Sequence, residues 1–355
     1  MEKHSVLVAM EGPPSSSSAS STSDAALSGD VKTLRNALAA PVMEWVDWSN
    51  ALERAASWLD DIHWQIARGG NLHQGLEALF RGLALLHRKW DREEWTRFCL
   101  EIVRNHPLRE VIHQCPYTRH GFEKPRGYAG DAVLIDYLYN ERQTEGTTPL
   151  GRDIYHFLWR QSGPRSVRER RELLAQELDA VAERVKKARV LSVACGHLRE
   201  AEHSRAVVEG RIGQLLAFDQ DPVSLEVVTQ QHPGKTVQPV RGSVRSILLG
   251  KATFPDQDFI YSAGLYDYLS ESVAARLTRL LFGMLRPGGR LLVGNFAART
   301  PDAGFLEAFM DWWLIYRDEN QVRAFASEIE PAQLASVDMF RDSTQNVIYM
   351  ALTRR

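Results

Sequence analysis

Between about Asp30 and Arg160 the apolar residues recur three and four positions apart. Trp45, Trp48, Leu52, Ala55, Leu59 and Ile62 form one such run, Leu76, Leu79, Phe80, Leu83 and Leu86 the next, and Trp95, Phe98, Cys99 and Ile102 a third. This spacing gathers them on one face of a helix, so it predicts packed amphipathic helices whose tryptophan-rich stripes are core. A further helix is expected over Pro164 to Arg189, through Leu174, Leu178, Val181 and Val185. Beyond it, short apolar runs alternate with helical segments, which predicts parallel strands joined by crossovers. The expected strands are Val190 to Cys195, Gln214 to Asp219, Thr236 to Arg241, Asp258 to Ala263, Arg290 to Phe296, Ala335 to Phe340 and Asn346 to Leu352. Pro239 cannot donate to a ladder, so the third strand belongs at a sheet edge. The polar turn "RDSTQ" predicts that the last two strands form a hairpin, an antiparallel addition to the sheet.

Two stretches break the periodicity. The serine-rich "GPPSSSSASSTSD" buries too little apolar area to offset its ordering entropy, so residues 1–29 are expected to form a disordered tail. The organisation that follows is a helical domain over 30–163, expected to serve as a substrate or lid domain, and an α/β domain over 164–355. The second stretch is Gln114 to Tyr139, with two prolines, three glycines and a cluster of Tyr117, Arg119, His120, Arg126, Tyr128 and Asp131. Asp131 is placed to cap a helix starting near Ala132; the loop before it reads either as a turn or as a ligand contact.

Charge narrows the partners. Lys plus Arg number 43 and Asp plus Glu 45, so no basic field draws the 355-residue chain to nucleic acid or to an anionic membrane. No run of about 18 apolar residues offers an integral membrane span. Three cysteines, Cys99, Cys115 and Cys195, fit neither a disulfide framework nor a zinc site, and a cytoplasmic location is expected.

The chemistry concentrates at two expected strand ends. Gly196 follows the first strand and permits close approach of a ligand, but Ala194 and Leu198 stand where a dinucleotide fingerprint would need further glycines. Asp219 ends the second strand, where a carboxylate can accept from both hydroxyls of a ribose; Asp221, before Pro222, reads instead as a helix cap. Together these features suggest a nucleoside site without a phosphate clamp, although Gly196 taken alone could be a structural glycine.

In the order and spacing of its motifs the C-terminal part, from about Pro164 to Arg355, resembles class I S-adenosylmethionine-dependent methyltransferases. "LSVACGHLRE" is similar to that family's glycine motif, "LLAFDQD" to its ribose motif, "VRGSVRSIL" and "DFIYSAGLYDYL" to its third- and fourth-strand motifs, and "LRPGGRLLVGNF" to the turn before its fifth strand. The resemblance implies a Rossmann-like, seven-stranded α/β methyltransferase sheet with an antiparallel C-terminal strand, preceded by the helical domain. It implies S-adenosyl-L-methionine as cofactor, bound by Ala194, Cys195, Gly196, Asp219, Gln220, Ser243, Val244, Ser262 and Gly264. Ser192, Ala194, Leu198 and Ser243 depart from the residues common in the family. A narrower resemblance, over most of 105–355, rests on "NHPLREVIHQCPYTRHGFEKPRGYAGD", "YSAGLYDYL", "LLVGNFA" and "FMDWWLIYR". These are similar to the bacterial family for biosynthesis of the extracellular factor 3-hydroxypalmitic acid methyl ester, which implies methylation of a carboxylate.

A carboxylate is ionised at neutral pH and needs no general base. Alignment, water exclusion and anion-holding groups would then carry catalysis. Arg126 and Tyr128 are the preferred pair, with His197 and Tyr266 as further catalytic candidates; Tyr117, Arg119, Asp267, Asn295, Tyr316 and Arg317 are candidates for holding the substrate. Asp267 could instead cap the helix of "SESVAARLTRLL". Cys195 reads as an apolar filler, and "FLEAFMDWWLIYRD" as core packing or a lid. The expected partner is a small carboxylic acid or hydroxy fatty acid, with a homodimer also admitted. The alternatives are O- or N-methylation of another metabolite, with His197 or Asp267 as base, and a non-catalytic binding or regulatory module.

Overall fold

The computed structural model describes residues 50–67, 70–140 and 146–355. The serine-rich tail, Trp45 and Trp48 lie outside the described residues. The described residues form two compact units, one built from those of 50–164 together with Pro301–Trp313, the other from Arg165–Thr300 and Leu314–Arg355.

The helical unit contains α1 (Ala51–Ala67), α2 (Leu72–Lys89), α3 (Arg92–Arg97) followed by a π-helical turn (Phe98–Ile102), α4 (Pro107–Ile112), α5 (Pro116–Glu123), α6 (Ala132–Asn140) and α7 (Pro149–Trp159). Its expected stripes are core: Ala55, Leu59 and Ile62 of α1 and Leu76, Leu79, Leu83 and Leu86 of α2 are buried. Gly82 admits the Trp58 ring, since a Cβ there would lie 2.2 Å from it.

The second unit opens with the part of α8 (Ser162–Arg184) that follows Pro164. Then come β1 (Arg189–Val193), α9 (Glu200–His203), α10 (Arg205–Val208), β2 (Gln214–Asp219), α11 (Pro222–Gln231), β3 (Val237–Arg241), α12 (Val244–Leu248), β4 (Gln257–Ser262), α13 (Glu271–Gly283) and β5 (Leu285–Phe296). The chain then enters α14 (Ala303–Met310), which belongs to the helical unit, and returns for α15 (Glu319–Arg323), β6 (Leu334–Arg341) and β7 (Val347–Arg354).

The sheet has seven strands in the order β3-β2-β1-β4-β5-β7-β6. β1 to β5 pair in parallel, while β7 runs antiparallel to both β5 and β6. This is the Rossmann-like, seven-stranded arrangement that the resemblance implies, with the parallel strands expected from the alternating pattern. Pro239 sits on β3 at the edge, so its missing N–H breaks no second ladder. Leu191, Val193, Ile260, Leu291, Val293, Ile348 and Met350 form the sheet's contribution to a core completed by α13.

Two expectations change in detail. β1 ends at Val193 rather than Cys195, because Ala194 leaves the pleated conformation. The aromatic segment after β5 divides: all eight residues of α14 are buried within the helical unit, whereas Leu314 onward belongs to the sheet unit. Glu307 on α14 is held there by Trp95 Nε1, which donates at 2.7 Å, and by Arg92 Nη1 at 3.3 Å. Burial on every face suits a core helix and leaves no outward face for a lid.

Candidate functional site

In the sheet unit, the turn after β1 carries the clearest chemistry. Ala194, Gly196 and Leu198 all have left-handed backbones, with φ of 56°, 54° and 53°. For a residue with a Cβ this conformation costs about 1–2 kcal/mol, so glycine is its usual occupant. The chain therefore follows the path of three alternating glycines with only one glycine in place. Two features stabilise it. Leu198 is buried in the core. Asp219, at the end of β2, accepts the Gly196 N–H on Oδ2 at 2.8 Å and the Asp221 N–H on Oδ1 at 2.9 Å. Burial pushes the Asp219 carboxyl above the usual range, against the pull of those N–H groups. Asp221 is the cap of α11, accepting the Val223 N–H at 3.0 Å. Ala194 is exposed, and Cys195, Gly196 and Gln220 are half-buried, so this turn presents surface at the carboxyl end of the sheet. Burial raises the Cys195 thiol well above its ordinary value, which keeps it protonated and unsuited to nucleophilic attack. His197 is buried beside it.

The neighbouring strand ends converge on the same edge. Gly242 N–H donates to Asp219 O at 2.9 Å, which brings half-buried Ser243 and Val244, at the start of α12, next to β2. A Cβ at Gly242 would lie 2.4 Å from the Phe218 ring. At the end of β4, Ser262 is fully buried and donates its hydroxyl to Val193 O at 2.9 Å, while Gly264 is exposed. Ser262 thus ties β4 to β1 and has no surface to offer a ligand.

Four other expected site residues prove to be framework. Tyr266 is fully buried; its hydroxyl meets Thr278 Oγ1 at 3.0 Å and its ring packs 5.2 Å from that of Phe325. Asp267 does not cap α13, whose N-cap is Ser270. Its Oδ1 accepts the Phe296 N–H at 2.6 Å, and its carbonyl accepts the Ile315 N–H at 2.7 Å. Asn295 donates from Nδ2 to Phe296 O and Ile315 O, each at 2.9 Å. Arg317 donates to Tyr266 O at 2.9 Å, Asn295 Oδ1 at 2.7 Å and Leu269 O at 2.5 Å, with its guanidinium 5.0 Å from the centre of the Phe325 ring. These groups fasten the returning segment 314–317 to the end of β5. Burial raises the Asp267 carboxyl to about 6, opposed by the Phe296 N–H and by Arg170 and Arg317. Tyr316 is half-buried.

The remaining candidates lie in the helical unit. Tyr117 on α5 is buried, and burial drives its phenol well above its ordinary value. Arg119 is exposed and donates from Nε to His113 O at 2.9 Å. Arg126 and Tyr128 are half-buried in the turn between α5 and α6. Asp131 caps α6 as expected, accepting the Leu134 N–H at 2.9 Å. Its two oxygens also lie 2.9 Å from His120 Nε2.

Two side chains at the sheet edge were invisible to motif reading. Glu200, on α9, is buried and accepts the Tyr261 hydroxyl at 2.7 Å; burial raises its carboxyl. Arg170, on α8, is 8% exposed and donates from Nη1 to Ala263 O at 2.7 Å. In a helix as rich in charge as "RSVRERRELL" no single arginine stands out.

A family model described as a putative methyltransferase matches residues 121–232, which include the Arg126–Tyr128 turn, the left-handed turn and Asp219. No curated protein matches the chain. Among solved structures the chain is similar to a possible exported protein from Bordetella parapertussis, at 19% identity over 87% of this chain and 99% of that one, with a TM-score of 0.54. It is also similar to magnesium protoporphyrin IX methyltransferase from Synechocystis, with bound SAM, at 10% identity over 63% and 96% of the two chains and a TM-score of 0.41. For the N-methyltransferase NodS from Bradyrhizobium japonicum, in complex with S-adenosyl-L-homocysteine, the figures are 14%, 53%, 87% and 0.39. The first likeness is one of fold; the other two superpose too loosely to say more.

Proposed function

We propose that this protein is an S-adenosylmethionine-dependent methyltransferase that converts a carboxylate of a small acid or hydroxy fatty acid into its methyl ester. One observation carries the reading: the left-handed turn at Ala194, Gly196 and Leu198 is hydrogen-bonded to Asp219 of the adjacent strand, beside the exposed Gly264. The family model that spans this turn supports it.

The residues fit the cofactor. Each carboxylate oxygen has two acceptor positions, so Asp219 can accept ribose hydroxyls while it holds Gly196 and Asp221. Ala194 and Gly196 are small enough for a sulfonium to approach the backbone, and half-buried Ser243 and Val244 stand beside β2 for the base. What the cofactor brings when bound is a methyl group on positive sulfur. The chain's own task is then to orient the acceptor and exclude water. A carboxylate acceptor requires no proton removed, which agrees with the structural employment of Asp267. Arg126 and Tyr128 of the helical unit are the proposed groups for holding the acid. We place the reaction in the cytosol, consistent with three unpaired cysteines.

A second reading, methylation of a hydroxyl or amine, is favoured by the His120–Asp131 pair. A carboxylate that accepts from Nε2 orients the ring and leaves Nδ1 as a proton acceptor. Incubation with labelled methyl donor and panels of fatty, hydroxy and dicarboxylic acids, followed by mass spectrometry, separates the two. An alkali-labile ester whose formation survives His120→Ala supports the first reading. An alkali-stable product abolished by His120→Ala replaces it with the second.

A further inference from the structure

We infer that the helical unit carries a ligand site of its own, for a small monoanionic carboxylate with a compact apolar body, in a cavity between the first turn of α2 and the C-terminal half of α7. The cavity measures about 990 Å³. That is the upper end of the roughly 300–1,000 Å³ usual for small-molecule sites. Every residue lining it belongs to the helical unit, and neither Arg126 nor Tyr128 is among them. Its occupancy does not require a nucleoside in the sheet unit.

The floor is apolar and held in place. Leu76 of α2 and Phe157 of α7 are buried, and half-buried Leu72 extends their surface. The Phe157 ring meets those of His73, 5.3 Å away, and Phe80, 5.5 Å away, edge to face. Phe80 in turn stacks at 4.4 Å on Phe305 of α14. Aromatic pairs favour these offset and edge-on arrangements, so a ligand meets an apolar surface that is already formed.

The rim is polar and unequally charged. Arg160, His73 and His156 line it, with Asp153 as the carboxylate among them. His73 Nε2 lies 3.2 Å from Glu77 Oε1, so that ring is engaged with an acid of its own helix. The side chains of Arg160 and Asp153 are exposed and have no hydrogen-bonding or ionic partner among the described residues. Arg160 therefore keeps its donor fork for a carboxylate, which matches it bidentately. The start of α2 adds to the positive field: Asn71 Oδ1 accepts the Gln74 N–H at 3.1 Å, which leaves the N–H groups of Leu72 and His73 without an intrahelical partner. At the end of α7 the carbonyls are occupied. Phe157 O accepts from Gln161 Nε2 at 3.0 Å, and Leu158 O accepts the Gln161 N–H at 2.9 Å. Asp153 opposes a second negative charge, which favours a monoanion, and the short floor suits an aromatic ring or a short alkyl chain.

The test titrates phenylacetate, its neutral analogue 2-phenylethanol and the more highly charged phenyl phosphate into the full chain by calorimetry at neutral pH. Wild type is expected to bind phenylacetate saturably, and the other two compounds at least about fivefold more weakly. Arg160→Glu should weaken phenylacetate by at least about fivefold, and Asp153→Asn should tighten it about twofold. Arg126→Ala should leave it within about twofold of wild type. Unfolding midpoints equal to that of wild type check the two rim variants, and Asp153→Asn tests the charge balance by a gain of affinity that a damaged fold would not give. Absence of phenylacetate binding to wild type overturns the site, as do equal or tighter binding of the alcohol or the phosphate and affinity unchanged in Arg160→Glu or Asp153→Asn. Binding lost in Arg126→Ala and kept in Arg160→Glu would move the acid to the turn after α5 and overturn it likewise.

Discussion

Ala194 pays a conformational penalty that glycine would not, and it is exposed, so its side chain offers little packing in return. Relief of a left-handed conformation outweighs the extra freedom glycine gains on unfolding. Ala194→Gly should therefore raise the urea midpoint slightly, by up to about 1 kcal/mol of stability, and Ala194→Val should lower it by more than about 1 kcal/mol. Equal midpoints for the three proteins would contradict the strain. At Asp219 the same turn makes a binding prediction: Asp219→Ala removes the acceptor for the Gly196 N–H and for a ribose, and should weaken S-adenosylhomocysteine at least about 10-fold in a titration. The sequence made Gly196 and Asp219 legible because glycine and a strand-end carboxylate have few other reasons to occur at that spacing. It made Ala194 and Leu198 look like lost glycines. Residue type records the usual occupant of a backbone conformation, whereas the conformation here is enforced by Asp219 and by the burial of Leu198.

At the scale of elements, the ends of β4 and β5 show how position can mislead. Asp267 and Asn295 stand where this kind of sheet presents site residues, yet the segment 314–317, which carries Arg317, returns to the end of β5 and is fastened to them, and all three are buried. That return is a long-range event with no local signal. Arg317→Met takes a donor from each of Tyr266 O, Leu269 O and Asn295 Oδ1 and leaves Asp267 with Arg170 but without the second positive charge near it, and should cost about 2 kcal/mol or more in urea unfolding. Arg126→Ala should raise KM for the acid more than it lowers kcat. Asp267 adds a pH dependence with a defined sign. Its folded pKa, about 6, lies above the ordinary value of 3.8, so its contribution is fully present below about pH 4 and is lost as pH rises through about 6. Asp267→Asn keeps an acceptor for the Phe296 N–H without that titration. Its stability relative to wild type should improve between pH 4 and pH 7, by on the order of 2–3 kcal/mol. A constant difference across that range would contradict the raised pKa.

The whole molecule is two units whose chain paths interleave once, through 301–313. Alternating strands and helices announced the sheet, Pro239 its edge, and "RDSTQ" its terminal hairpin, because each is a local rule of backbone pairing. Membership of α14 in the helical unit was hidden, since apolar residues on all faces say that a helix is buried and not where. Gly304 records the fit: a Cβ there would lie 2.7 Å from Leu83 O of α2. A fragment ending at Pro164 lacks α14 and should melt without a cooperative transition in circular dichroism. Addition of a peptide spanning 301–313 should restore one; a fragment that melts cooperatively by itself would show that α14 is dispensable.

The proposed activity requires the turn at Ala194, Gly196 and Leu198 to be a nucleoside site. Calorimetric titration of the full chain with S-adenosylhomocysteine tests this most directly. Saturable one-to-one binding is the predicted result, and the absence of measurable binding to wild-type protein would contradict it.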